Sequence, residues 1–102
     1  MKLSIYLPTK YGKSKVDASY YNSFVKSKLL YIYGGYTAVK GRGSDGVCGE
    51  PVEVIWVYTS LRKYIFTRIA LRSLLIWCGL RTYQRQMLYS RNNKPVFIKI
   101  QN

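Results

Sequence analysis

Residues 2 to 7, KLSIYL, place Leu3, Ile5 and Leu7 at alternating positions, the period-2 pattern of a strand with one buried face. Pro8 is expected to end it, because proline cannot continue the backbone ladder. After the polar stretch TKYGKSK, Asp17 stands where an N-cap is expected for a helix from about Ala18 to Tyr33. Its apolar stripe is Phe24, Val25, Leu29 and Ile32, and Gly34 and Gly35 are placed to stop it. Tyr36 to Lys40 and Val52 to Thr59 carry the β-branched and aromatic residues of a second and a third strand, joined by the loop GRGSDGVCGEP.

On the third strand Val52, Val54, Trp56 and Tyr58 point one way, and Glu53, Ile55, Val57 and Thr59 the other. Both sides are mostly apolar. The strand is therefore expected inside the sheet, and the free face of the sheet is expected to be covered by self-association. A second helix is predicted from about Leu61 to Cys78, with Ile65, Ile69, Leu74 and Trp77 on or near one face, Arg68 and Arg72 together on another, and Gly79 closing it. Gln84 to Ser90 reads as a fourth strand. RNNK is a turn into PVFIKI, whose Pro95 stands at the strand start, where a missing donor does least harm.

Strand, helix, strand, strand, helix, strand is the split βαβ order of a ferredoxin-like sandwich. The fold class expected is α/β of the α+β kind, an antiparallel sheet with two helices on one face and an extra C-terminal strand. A chain of 102 residues is long enough for one such domain, covering 1–102, and too short for two. Hydrophobic residues make up 48% of the chain and aromatics 16%, well above the range of disordered sequences.

Charge changes the picture. Lys and Arg number 17 against four acids, Asp17, Asp45, Glu50 and Glu53, for a net charge of +13. Such a field favours anionic partners, whether nucleic acid, nucleotides, a membrane surface or an acidic protein. The cations are dispersed, with no basic arm. The segment YIFTRIALRSLLIWCGL is the most apolar, but Arg68 and Arg72 inside it argue against a span. MKLSIYLPTK has too short an apolar run for a secretory leader, so the cytoplasm is the expected location and no membrane partner is expected.

Much chemistry is excluded. The chain has no histidine, which removes Ser-His-Asp and Cys-His nucleophile systems. Cys48 and Cys78 form no CxxC pair, so a structural zinc or iron site lacks ligands and both thiols are expected free and reduced. Glu50 and Glu53 would be aimed to opposite faces by a strand, which weakens a paired-carboxylate mechanism. GRGSDGVCG lacks the GK[ST] ending of a phosphate-binding loop. An RNA-recognition sheet would use exposed aromatics such as Trp56 and Tyr58, but its K/R-G-F/Y-G/A-F-V-x-F/Y signature is missing.

The succession GGYTAVKGRG, loop, hydrophobic strand resembles the nitrogen-regulatory PII signalling proteins, ferredoxin-like trimers that bind adenine nucleotides between subunits. YGGYT after the first helix, GEPVEV at the mouth of the third strand and YQRQMLYS after the second helix are similar to the small phage-encoded S-adenosylmethionine lyases, which look like PII proteins in fold and assembly. The resemblance implies a homotrimer, whose self-association would cover the free sheet face, and a cleft lined by an acid and a Gln. The matching positions are Glu50, which would orient the substrate ammonium, and Gln84, which would hold a polar edge of the ligand. Tyr36 or Tyr58 would contact the adenosine or wall the cleft. No cofactor is implied, since the substrate's own carboxylate can displace the sulfonium, and a phage-encoded enzyme would work in the host cytoplasm against methylation or a signal derived from that metabolite. The same residues have plainer readings: Glu50 a solvated loop-end carboxylate, Glu53 a salt-bridge partner of Arg68 or Arg72, Gln84 a strand-edge polar group, the tyrosines core. A non-catalytic nucleotide-binding protein and a basic RNA-binding or ribonucleoprotein subunit are the alternative functions.

Overall fold

The computed structural model describes residues 1–8, 19–42 and 51–100. Its elements are β1 (Lys2–Pro8), α1 (Ser19–Tyr33), β2 (Thr37–Arg42), β3 (Pro51–Tyr58), α2 (Leu61–Arg81), β4 (Gln86–Arg91) and β5 (Lys94–Lys99). The five strands form one sheet in the order β2-β3-β1-β4-β5, every neighbouring pair antiparallel. This is the ferredoxin-like βαββαβ arrangement with β5 added at one edge. As expected from its two apolar faces, β3 lies inside the sheet, between β2 and β1.

Register fixes the two faces. Leu3 pairs with Val57 and Ile5 with both Ile55 and Tyr89, and these side chains are buried beneath the helices together with Leu7, Val25, Leu29, Leu71, Leu75 and Ile98. The opposite face carries Tyr6, Val54, Trp56, Leu88 and Phe97, and no described helix covers it. Among them Phe97 is exposed and the others are half-buried.

The hairpin between β4 and β5 turns on Asn92 and Asn93, both at positive φ (48° and 68°), with Arg91 opposite Lys94. Two left-handed residues give the turn whose twist matches the strands, and asparagine tolerates that region better than most side chains. The RNNK turn is therefore as predicted. Pro95 lies on the edge strand, where its missing donor is tolerated. Pro8 is the last residue of β1 rather than the residue after it, and β2 runs on through Gly41 and Arg42 because both remain paired with β3.

The helices depart more from expectation. In α1 the buried positions are Asn22, Val25, Leu29 and Tyr33; Phe24 is exposed and packs on Trp77 of α2, ring centroids 4.6 Å apart. Asn22 is buried because its amide donates to the Pro8 carbonyl at the end of β1, while its oxygen accepts from the Cys78 thiol at 3.8 Å. Asp17, the expected cap, lies outside the described residues.

In α2 the inward row is Tyr64, Leu71, Leu75 and Cys78, and Ile65 and Ile69 are exposed. The helix is apolar on several sides, so more than one row fits a 3.6-residue repeat, and the row that meets the sheet is a different one from that predicted. Gly79 does not close α2, which continues to Arg81. It is buried within the helix, where a Cβ would lie 2.8 Å from Ile100 side-chain carbons and 2.9 Å from Met87 Cγ. Tyr83, at φ 57°, follows the end of the helix, and β4 begins at Gln86, two residues later than predicted.

Candidate functional site

The last turn of α1 ends with the Gly34 amide donating to the Leu30 carbonyl at 2.8 Å. Gly34 has φ 83°, a left-handed conformation that favours glycine, and a Cβ at Gly34 or Gly35 would meet nothing within 4 Å. The turn thus reverses the chain from α1 into β2 while leaving open space where two side chains would stand. Tyr33 closes one side: it is buried, and its hydroxyl lies 3.0 Å from Thr67 Oγ1. Burial raises its pKa above the ordinary tyrosine value, the Thr67 hydrogen bond pulling the other way.

The other side is made by β3. Thr37 pairs with Trp56, which puts the end of β3 beside the glycine turn. Tyr33, Gly34, Gly35, Tyr36, Thr37, Trp56 and Tyr58 together line a pocket of about 300 Å³. Tyr58 is 69% exposed and Tyr36 is also exposed, so neither packs in the core and both stand at the pocket's surface. Lys2 Nζ lies 4.2 Å from the Trp56 ring centroid, a cation at the edge of this aromatic wall. Such a lining can stack a purine and present ring faces to a cation.

Gln84 is elsewhere. It follows α2, donating from Nε2 to the Thr82 carbonyl at 3.3 Å and from its backbone amide to the Gly79 carbonyl at 2.9 Å. Because Tyr6 pairs with Leu88 and Pro8 with Val52, Gln84 precedes β4 at the Pro8 end of the sheet, which is also the Pro51 end of β3. Tyr36 and Tyr58 occupy the opposite end, beside Lys2. The eight residues of β3 separate the two ends by about 23 Å at ~3.3 Å per residue. One copy of the chain therefore brings Tyr36 and Tyr58 together and leaves Gln84 apart. Glu50, the residue before Pro51, lies outside the described residues, as does Cys48.

Glu53 faces the helices and pairs with Lys26 of α1, Nζ to Oε1 2.6 Å, with both side chains mostly buried. Its expected alternative partners, Arg68 and Arg72, stand on the exposed part of α2, while β3 packs against α1. Among the described residues Glu53 is the only carboxylate, and no cluster of three potential metal ligands occurs among them.

Buried polar groups elsewhere serve the core. Tyr64 and Tyr89 share a 2.8 Å hydroxyl hydrogen bond, and burial raises the Tyr89 pKa. Burial likewise pushes the Cys78 thiol up to about 11, a Thr82 hydrogen bond opposing it. That thiol is inert at neutral pH, as a buried structural cysteine should be. Sequence reasoning did not assign Tyr33, Thr37 and Trp56, which line the pocket, or Lys2 beside the Trp56 ring, to an adenosine cleft. The alternation that put Trp56 on the face of Tyr58 was a usable signal; the approach of Tyr33 depends on the turn.

No helix among the described residues is long and apolar enough to cross a membrane. No family model matches the sequence, and no curated protein matches it. In structure the chain is similar to a phage SAM lyase solved in complex with S-methyl-5'-thioadenosine, with a TM-score of 0.55 and 13% sequence identity over 96% of this chain and 88% of that one. At this identity the likeness establishes the shared fold.

Proposed function

We propose that the chain is an S-adenosylmethionine lyase, acting on S-adenosylmethionine or a nucleotide conjugate of it in a cleft between subunits of a homotrimer. The observation that carries this is the aromatic pocket of about 300 Å³ at the glycine turn, on a fold shared with a lyase whose solved complex holds a thioadenosine.

The reaction asks for no protein nucleophile. The substrate carboxylate attacks the carbon γ to its own carboxyl group, a C–O bond forms, the C–S bond breaks, and its electron pair stays on sulfur. Methylthioadenosine and homoserine lactone result. A carboxylate and a sulfonium neutralise each other as the reaction proceeds, so an environment less polar than water favours the transition state over the charged substrate, and a folded substrate conformation supplies proximity. Ring faces of Trp56, Tyr36 and Tyr58 are suited to both tasks, and a sulfonium held against aromatic faces needs no carboxylate. This reconciles a cationic substrate with a strongly basic chain.

The distance between the two ends of the sheet supports a site shared between copies. Tyr36 and Tyr58 of one subunit would wall the adenosine, while Gln84 and Glu50 of another would hold a polar edge and the substrate ammonium. The uncovered apolar sheet face supplies the surface for that assembly. Incubation with S-adenosylmethionine, and separately with its adenylated conjugate, followed by chromatography tests the proposal: an adenosine-containing thioether and a homoserine lactone moiety should accumulate together from one or the other, and intact substrate in both reactions would overturn it.

An RNA-binding or ribonucleoprotein function is favoured by a separate observation, the same uncovered face with Tyr6, Trp56 and Phe97 in a chain of charge +13. RNA stacked on those rings would bind with steep salt dependence, and burying the face in a trimer would remove the site.

A further inference from the structure

The outer side of the helix layer has a different character from the pocket. On α2, Phe66 is 77% and Ile69 73% exposed, and Ile65 is exposed beside them. Spacings of three and four residues make these three contiguous on the helix surface and place Arg62, Arg68 and Arg72 next to them, all three exposed. On α1, packed alongside through Tyr33 with Thr67 and Tyr21 with Trp77, the most exposed rings are Tyr20 and Tyr31, the latter at 89%, while Phe24 is less exposed and packs on Trp77. Neither helix contains an acid.

We propose that this outer helix face docks peripherally on an anionic lipid bilayer. Phe66 and Ile69 seat at the boundary between headgroups and acyl chains, Tyr20 and Tyr31 lie at headgroup depth, and the α2 arginines meet lipid phosphates. The charge decides against a second copy, because two such faces would bring arginines together. The aliphatic component decides against nucleic acid, since Ile65 and Ile69 offer a phosphate backbone nothing to pair with or stack on. A bilayer interface accepts both components at once: apolar side chains enter while guanidinium groups remain at the polar surface on their flexible stems. This contact is on the surface and involves no spanning helix. It also revises the expectation of no membrane partner, which rested on the arginines that exclude a span. It stands independently of the lyase proposal.

Co-sedimentation of the intact protein with vesicles of phosphatidylcholine alone, or mixed with phosphatidylglycerol, tests it. Binding should appear with the mixed vesicles and weaken as salt rises. The double variant Phe66→Ser/Ile69→Ser should bind at least about tenfold more weakly, as expected for two apolar side chains no longer entering the interface, with its melting temperature and oligomeric mass unchanged. Phe66→Ser alone provides the same comparison if the double variant does not fold. No binding to mixed vesicles overturns the proposal. So does undiminished binding by the variant, which would mean that net charge alone attracts lipid, or a changed oligomeric mass, which would mean that the face joins subunits.

Discussion

Gly79 is the residue where packing is tightest among the described glycines. Alanine there gains helix propensity of about 1 kcal/mol but forces a methyl against Ile100 and Met87, an overpacking cost of about 1 to 3 kcal/mol. Gly79→Ala should therefore lower unfolding stability by about 1 kcal/mol in denaturant titration; an unchanged or higher midpoint would show that Ile100 yields freely. Cys78 gives a pH signature. Its folded-state pKa is raised from 9.0 to about 11, so its contribution to stability is full below pH 9 and is lost as pH rises toward 11. Melting temperature should fall across that window, and Cys78→Ala should flatten the fall. Glu50 belongs to the proposed chemistry: Glu50→Gln should lose most turnover while keeping the oligomer, and a full-rate variant would remove its role. The glycine turn and strand pairing bring Tyr36 and Tyr58 to one pocket, while their proposed contact with a ligand rests on the family resemblance. Gln84 was legible only as a motif position, and its distance from the tyrosines follows from strand order, which no local pattern carries.

At the scale of elements, strands were easier to read than helix faces for a physical reason. A period of two admits only two phases, and Leu3, Ile5 and Leu7 choose between them without ambiguity. In α2 the rows Ile65–Ile69 and Leu71–Leu75–Cys78 both satisfy helical spacing, and only the sheet beneath selects the second. At the start of α2, Ser60 accepts from the Lys63 amide at 3.1 Å and caps the helix. Ser60→Ala should destabilise the fold by about 1 kcal/mol, measured as a shift of the denaturant midpoint with unchanged slope. Gly79 misled because a glycine near a helix end usually marks termination, whereas here its role is close approach to β4 and the chain after β5.

For the whole molecule, the two sides of the sheet set separate expectations. Helices cover one side, and the other presents Tyr6, Val54, Trp56, Leu88 and Phe97. If that face assembles the site, light scattering should find a species of three 11.9 kDa chains, and a monomer would leave Gln84 and the tyrosines unable to share a ligand. The basic surface then remains free for anionic partners on the outside. The most direct test of the central proposal is the product analysis after incubation with S-adenosylmethionine and, separately, its adenylated conjugate. Equal release of methylthioadenosine, or its adenosine-containing counterpart, and the lactone moiety is the result predicted; intact substrate in both reactions would contradict it.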